Sequence, residues 1–493
     1  MMPIRRSFIP VLRWASAGLS VYLTLFFWVD AIMRAINQRT VPPPSSLLIL
    51  VAAAVACRAL WVRNTWSWIL SAALAAGLCA ADDPWLLFVP VLFAVTVALR
   101  AYQARLGQTV VAYRLKFPWP ISLTTADRFL HMHVLGPTGS GKSSSVLMPL
   151  IAQDIAHHYG IIVIEPKGDL SQSAYRQAVK NGRSVIRFTP TDAQCPHFNP
   201  LNGPADTAAE GLALCLDQLS PGGHPYYAVA TRVQLLHAVR VIKATLGESA
   251  DIGHLLTFFR DSKQQRHLVA ACRDASAQQY FQEQWSRKST ASREDHQGLL
   301  NRLELLWANP TVRRVLSAPA DFTWDEVLRE RWIVLCALSL ADLGESARAL
   351  GVLIWHSLAQ AAYRRDPAVP HPPFFVYLDE FYQWVSEDIG DFLALARGYS
   401  LGLILAHQDL GQLTEPLKQA VMANARQRII LPGTAADDVA RFRQGAQPYA
   451  VDPRTRYLHQ GQALVQMTQR GRLRPPCLVR LTHVALASNG RHA

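Results

Sequence analysis

The stretch "HMHVLGPTGSGKSSSVLMPL", residues 131–150, has a glycine-rich turn between two apolar segments. Its centre matches G-x-x-x-x-G-K-[ST], with Gly136, Gly141, Lys142 and Ser143 in the fixed places. In this motif glycines let backbone N–H groups surround phosphates, the lysine reaches the β- and γ-phosphates, and the hydroxyl holds Mg²⁺. A helix predicted over residues 144–155 directs its positive end at the anion. The residues predicted to bind ATP are Gly136, Pro137, Thr138, Gly139, Ser140, Gly141, Lys142, Ser143 and Ser144.

Hydrolysis of a bound nucleotide needs a second, acidic strand, and "PPFFVYLDEF", residues 372–381, is typical of one. The continuous apolar run before the acids predicts a strand buried on both faces. Asp379 at its carboxyl end is predicted to hold Mg²⁺ together with Ser143. Glu380 is predicted to accept a proton from the attacking water. A solvated acidic turn after an edge strand is the alternative.

A third strand is predicted in "SLGLILAHQDLGQL", residues 400–413. Gln408 follows its apolar run, at the position from which a polar side chain can sense the γ-phosphate. The alternative is that "HQDL" only begins the next helix, with Asp409 as its cap.

Further apolar runs predict an α/β protein with a parallel sheet, because helical patterns separate most of them. These runs are residues 160–170, 184–190, 331–339 and 427–433. Between residues 202 and 330 the pattern becomes helical, which predicts an all-helical insertion.

The net charge of +13 is compatible with a polyanionic partner and equally with an arginine-rich proteome. The seven cysteines are scattered and contain no C-x-x-C, which argues against a disulfide framework or a zinc site and favours a reducing cytosol. In the tail, the arginine-rich "ALVQMTQRGRLRPPCLVRLTHVAL", residues 463–486, predicts a hairpin. Its tip either contacts nucleic acid phosphates or is a solvated turn.

Four apolar stretches fill the first 100 residues: 14–29, 47–62, 66–81 and 85–99. Each is shorter than the roughly 20 residues that a membrane span needs, but flanking arginines can extend them. A signal peptide and a buried soluble core are the competing interpretations. The placement of arginines predicts four spans, or two, with everything after residue 105 in the cytoplasm.

Taken in order, "GPTGSGKS", "EPKGDL" (165–170), "HFNPL" (197–201), "LDEF" (378–381) and "AHQDLGQL" (406–413) resemble the conjugative coupling proteins of type IV secretion systems, the TraG/TraD family. The resemblance implies a RecA-like P-loop domain with an all-α insertion domain and an N-terminal transmembrane segment. It assigns residues 1–104 to the anchor, 105–201 and 331–493 to the nucleotide-binding domain, and 202–330 to the insertion. It also implies a multi-pass protein of the bacterial inner membrane, with the ATPase domain in the cytoplasm.

The resemblance further implies a homo-hexamer that uses ATP and Mg²⁺ to pass relaxase-bound single-stranded DNA to components of the secretion channel. Within it, Lys142, Asp379, Glu380 and Gln408 match motif positions, and Arg397 in "LARGYS" matches an arginine finger that reaches a neighbouring subunit. The reserve candidate for the finger is Arg426 in "NARQR".

This chain departs from the family pattern in three ways. It has Glu165 where an aspartate is expected, four short apolar stretches instead of two spans, and no acidic tail. Two alternative functions therefore stay open: a receptor ATPase that delivers protein effectors, and a pump for duplex DNA related to FtsK and HerA.

Overall fold

The computed structural model describes residues 108–115, 120–219, 225–286, 290–317, 319–385, 389–452, 455 and 458–486. The chain divides into two compact units, residues 1–106 and 107–493, and the described residues all belong to the second.

One eleven-stranded sheet forms the centre of this unit, and a short two-stranded ribbon accompanies it. The strands are β1 (Thr109–Arg114), β2 (Pro120–Leu123), β3 (Met132–Leu135), β4 (Gly160–Glu165), β5 (Val185–Phe188), β6 (Ile333–Ala337), β7 (Phe374–Asp379), β8 (Leu401–His407), β9 (Gln427–Ile430), β10 (Gln462–Gln466), β11 (Thr468–Gln469), β12 (Arg472–Leu473) and β13 (Cys477–Arg480).

The α-helices are α1 (Thr125–Arg128), α2 (Met148–Ala156), α3 (Asp169–Lys180), α4 (Ala205–Leu219), α5 (Pro225–Leu246), α6 (Ile252–Arg260), α7 (Ser262–Ala271), α8 (Ala275–Ser286), α9 (Thr290–Ala308), α10 (Pro310–Val315), α11 (Trp324–Glu330), α12 (Leu340–Leu343), α13 (Glu345–Tyr363), α14 (Ile389–Leu395), α15 (Glu415–Asn424) and α16 (Ala436–Gly445). Their starts follow local sequence signals. At α11, for example, Thr323 and Glu326 form a reciprocal capping box.

Seven strands pair in parallel, in the order β9-β3-β8-β7-β4-β6-β5. Every residue of β4, β7 and β8 is buried, which explains why these strands are read as unbroken apolar runs. Two large apolar clusters cover the opposite faces of the sheet. The predicted α/β class with a central parallel sheet is therefore confirmed.

The strand order brings three predicted motifs together. β3, β8 and β7 are neighbours. The glycine-rich turn follows β3, Gln408 follows β8, and Asp379 is the last residue of β7. Ligands of open α/β sheets bind outside the carboxyl ends of the strands. The sheet thus positions one site at this edge.

The other side of the sheet is antiparallel, in the order β2-β1-β13-β10-β9. The ribbon of β11 and β12 is the arginine-rich hairpin expected from the tail. Because β10 runs antiparallel to β9, this hairpin lies at the amino ends of the parallel strands, opposite the nucleotide motifs.

The connection between β5 and its parallel neighbour β6 contains helices α4 to α11. No strand occurs in the described residues of this connection, as the helical sequence pattern predicted. The division of the chain into an insertion domain and a nucleotide-binding domain stays a prediction.

The predicted multi-pass location in a membrane is contradicted, because no helix of the described residues has both the length and the apolarity needed to cross a bilayer. The four apolar stretches on which that prediction depended lie before residue 108, outside the described residues.

Candidate active site

The glycine-rich turn between β3 and α2 forms a loop that only small residues permit. Gly139 and Gly141 have φ angles of 81° and 94°, where a side chain would strain the backbone. A Cβ on Gly136 would lie 2.7 Å from both Leu431 Cβ and Ser140 Oγ. Pro137 precedes the exposed tip at Thr138 and Gly139.

The helix after the loop starts differently from the α-helix predicted over residues 144–155. Residues Lys142–Leu147 form a π-helical turn, and α2 begins only at Met148. The wide turn leaves the Ser144 carbonyl to accept a hydrogen bond from the Val484 N–H at 2.9 Å. The Ser145 hydroxyl lies 3.3 Å from Nδ1 of His483. The segment after β13 thus completes this turn, a contact across some 340 residues that no local pattern indicates.

Lys142 is 7% exposed and points into the loop. Its ammonium group donates to the Gly136 carbonyl at 2.6 Å and lies 3.6 Å from Glu380 Oε1. The Lys142 ammonium group is therefore placed so that phosphate oxygens could replace the Gly136 carbonyl as its hydrogen-bond acceptor.

Ser143 and Asp379, the two residues predicted to hold Mg²⁺, are in contact. The Ser143 hydroxyl donates to Asp379 Oδ2 at 3.2 Å, and the indole of Trp384 donates to the Asp379 carbonyl at 2.7 Å. Glu380 follows with φ 51° and ψ 49°, a left-handed conformation that is rare outside glycine and asparagine. Such strained backbone is concentrated at functional sites.

Gln408 also joins this cluster, since its side-chain amide donates to Glu380 Oε1 at 3.1 Å. Asp409 also acts as a cap, as the alternative interpretation expected, because it forms a capping box with Gln412 on a 3₁₀ turn. The turn that Asp409 caps fixes Gln408 at the end of β8. The loop is tied to the same strand, as the Gly136 N–H donates to the His407 carbonyl at 3.2 Å.

At both carboxylates of the cluster, the effect of burial on the pKa outweighs that of the nearby positive charge. Burial raises the pKa of Asp379 above its usual range, although Lys142 and the Ser143 hydroxyl oppose the rise. Burial likewise raises the pKa of Glu380, and the charge of Asp379 adds to it. Asp379 Oδ1 and Glu380 Oε2 are buried and accept no hydrogen bond from the described residues. A carboxylate oxygen and a hydroxyl are ligands that Mg²⁺ prefers, so the residues fit this cation.

Two parts of the site were missed by reasoning on single motifs. Glu165, noted only as a departure from the family, ends β4 and accepts hydrogen bonds from the N–H groups of Leu170 and Ser171 at the start of α3. Burial, with a contribution from Asp379, raises the pKa of Glu165 to about 7. The signal was present in "EPKGDL", an acid at the end of a buried strand, as in "LDEF".

The second missed part is a pair of stacked imidazoles beneath the loop. His133 of β3 and His407 of β8 have their Nε2 atoms 2.7 Å apart. His407 Nδ1 donates to the Asp409 carbonyl, so in the neutral ring Nε2 of His407 accepts a hydrogen bond from Nε2–H of His133. Burial lowers the pKa of His407 to about 3, which keeps the pair neutral.

The two candidate arginine fingers are not brought to this cluster. Arg397 lies in a 3₁₀ turn before β8, and Arg426 directly precedes β9. Both are exposed at the amino ends of strands, the edge opposite the loop. Within one chain they therefore lie away from the cluster, and the role of an arginine finger stays a prediction for either residue.

Comparisons with known proteins identify the family and the fold that this chain shares. Residues 116–428, more than half of the chain, match the family model for type IV secretory system conjugative DNA transfer. Protein VirD4 of Agrobacterium fabrum is 23% identical over 345 residues, which are 66% of this chain and 50% of that protein. The chain thus spans about half the length of this curated relative.

Solved structures share the fold. The bacterial conjugative coupling protein TrwB without its first 70 residues has a TM-score of 0.57 and 16% identity, over 77% of this chain and 90% of that one. TrwB in complex with ADP and Mg²⁺ has a TM-score of 0.56 and 16% identity, over 76% of this chain and 89% of that one. The family model supplies what a likeness of fold alone does not: this chain belongs to the family of type IV secretory system conjugative DNA transfer proteins.

Proposed function

We propose that this protein is an ATPase that couples hydrolysis to the transfer of single-stranded DNA through a type IV secretion channel. The observation that carries the proposal is the convergence of Lys142, Ser143, Asp379, Glu380 and Gln408 at one edge of the sheet, in a chain of this family. TrwB structures include complexes with ATP and GTP analogues and with ADP and Mg²⁺, which supports the binding of a nucleotide by this chain.

Each residue of the cluster has a distinct task in this proposal. The loop from Gly136 to Ser144 surrounds the phosphates with backbone N–H groups, and Lys142 exchanges the Gly136 carbonyl for phosphate oxygens. Ser143 and Asp379 would hold Mg²⁺, which would neutralise charge on the β- and γ-phosphate oxygens.

Glu380 takes a proton from the attacking water in this proposal. Its raised pKa brings it closer to neutral pH, where a general base works best. Gln408 donates to Glu380 Oε1 and so orients that carboxylate and reports on the γ-phosphate beside it.

The amino-edge position of Arg397 makes a ring of copies part of the proposal. In a head-to-tail ring each copy presents one surface to the next copy's opposite surface. Arg397 of one copy would then reach the phosphates bound by another, with Arg426 as the reserve residue. A hexamer that receives relaxase-bound DNA and passes it to channel components is the assembly we propose.

The test is the ATPase rate of the purified full chain with no nucleic acid, with single-stranded DNA and with duplex DNA of equal length. We expect strong stimulation by single strands, and we expect Lys142→Ala to abolish hydrolysis because the phosphates lose their main cation. Stimulation by duplex DNA alone would favour a duplex pump. A rate that no DNA changes would contradict the proposal and favour a receptor for protein effectors.

A further inference from the structure

The arginine hairpin, residues 468–474, is a basic surface that the nucleotide site does not use. Arg470, Arg472 and Arg474 are all exposed. None of the three guanidinium groups forms an ion pair or a hydrogen bond with any residue that the structure describes. Three unneutralised cations within five residues attract a polyanion.

The turn of the hairpin is held in a conformation that arginine does not favour. Gln469 pairs with Arg472, so Arg470 and Gly471 form a two-residue turn, with φ angles of 52° and 74°. Asparagine, aspartate or glycine normally occupies the first of these positions. Here the Arg470 N–H donates to Asp127 Oδ1 at 2.6 Å, which stabilises the strained residue.

Further hydrogen bonds fix the hairpin to the sheet. The Gln469 amide donates to the Ser122 carbonyl at 3.0 Å, and the Thr468 N–H donates to the buried side chain of Gln427 at 2.9 Å. The Arg474 N–H donates to the Met467 carbonyl at 2.8 Å. The backbone that carries the arginines is therefore already ordered, which lowers the entropic cost of binding.

The spacing of the arginines suits a chain of phosphates. Arg472 and Arg474 are alternate residues of an extended segment, so their side chains leave the same face about 6.6 Å apart. A nucleic acid strand carries one charge per ~3.4 Å along its axis, so one strand can present phosphates to both residues. The exposed Leu473 between them belongs to the other face.

The hairpin also contacts the element that joins both nucleotide motifs. Asp127, which holds Arg470, precedes Arg128 in α1. The buried Arg128 guanidinium pairs with Asp154 of α2 and donates to the Tyr377 hydroxyl of β7 at 3.0 Å. A ligand on the hairpin thus lies beside a network that reaches the loop helix and the acid strand.

From these contacts we propose that the arginine hairpin binds the phosphodiester backbone of single-stranded DNA, on the edge of the sheet opposite the nucleotide. The inference rests on the proposed function, and it names the surface that receives the DNA.

The test compares three full-length chains for binding of a fluorescent 30-nucleotide single strand across a series of salt concentrations. The hairpin variant carries Arg470→Asn, Arg472→Gln and Arg474→Gln, because asparagine tolerates the left-handed turn. The control variant carries Arg176→Gln, Lys180→Gln and Lys263→Gln, which removes the same charge from exposed helical positions without ion pairs among the described residues.

We expect the hairpin variant to bind the strand at least tenfold more weakly than the wild type, and the control variant to bind it normally. The slope of log K against log salt should fall by about 2, since each lost phosphate contact on a single strand removes about 0.7. ADP affinity and basal ATPase rate should be unchanged in the hairpin variant, while the stimulation by DNA is lost.

Equal affinity and slope in the wild type and the hairpin variant would overturn this inference while leaving the proposed function intact. An equal loss of DNA affinity in the control variant would also overturn the inference, because the effect would then come from net charge alone. If the hairpin variant instead sediments as a smaller particle than the wild type, the hairpin is a contact between copies and the inference is wrong. A wild-type chain that binds no DNA would refute the proposed function itself.

Discussion

At the scale of single residues, Glu380 has the most specific chemical assignment. It is strained, buried, and in contact with both Lys142 and Gln408. We predict that Glu380→Gln lowers turnover of ATP by about 10²- to 10⁴-fold, the usual contribution of a positioned general base. The amide keeps the shape of the side chain, so ADP should bind normally.

The measurement for this prediction is the steady-state ATPase rate together with ADP affinity from calorimetry. Glu330→Gln, on an exposed residue at the end of α11, is the control and should match the wild type. Turnover near the wild-type rate in Glu380→Gln would remove this residue from the role of base.

At the scale of elements, the buried imidazole of His131 connects the start of β3 with α14 and β8. His131, which precedes β3, donates from Nε2 to the Leu393 carbonyl of α14 at 2.9 Å and accepts the Leu403 N–H of β8 at Nδ1, at 3.1 Å. Both bonds need the neutral ring, and burial lowers the pKa of His131 to about 4.

This lowered pKa predicts a loss of stability in acid. The unfolded chain takes up the proton near pH 6.5 and the folded chain only near pH 4, so the stabilisation is complete above pH 6.5 and is lost as the pH falls between these values. At pH 5 the loss from this group is about 2 kcal/mol. Urea unfolding at pH 7.5 and pH 5.0 should show His131→Gln less stable than the wild type at pH 7.5, with a smaller difference at pH 5.0.

The matched control is His158→Gln. His158 also has a left-handed backbone, with φ 58°, but it is exposed. The difference between this variant and the wild type should not change with pH. If the same pH dependence persists in His131→Gln, other buried imidazoles such as His133 and His407 cause it.

The elements themselves were largely predictable from the sequence, because strands buried on both faces leave unbroken apolar runs. The antiparallel strands β1 and β2 were not predicted, since short strands of six and four partly polar residues carry a weak signal. The π-helical start at Lys142 could not be predicted either. It depends on Val484 and His483, which are distant in sequence and have no motif of their own.

At the scale of the whole molecule, the nucleotide motifs and Arg397 occupy opposite edges of one sheet. A ring in which Arg397 acts on the neighbouring copy predicts complementation between two inactive variants. Neither Lys142→Ala nor Arg397→Ala should hydrolyse ATP alone. Random mixing in equal amounts should restore about a quarter of the wild-type rate, because one site in four then combines an intact lysine with an intact neighbouring arginine.

The measurement is the ATPase rate of the mixture after dissociation and reassembly. Arg426→Ala, tested in the same way, decides between the two arginines. If Arg397→Ala alone hydrolyses ATP as fast as the wild type, Arg397 is excluded as the finger. If both variants are inactive alone and their assembled mixture is inactive too, Arg397 does not act on a neighbouring site.

The place of β3 in the sheet has a consequence for the synthesis of this protein on the ribosome. β3, which leads into the nucleotide loop, pairs only with β8 and β9, and both are translated much later. At 5–20 residues per second, the roughly 270 residues between β3 and β8 take about 15–50 s to synthesise. During that time the nascent loop has no framework on which to close. The chain therefore acquires its nucleotide site among the last events of synthesis, after the helices between β5 and β6 have emerged.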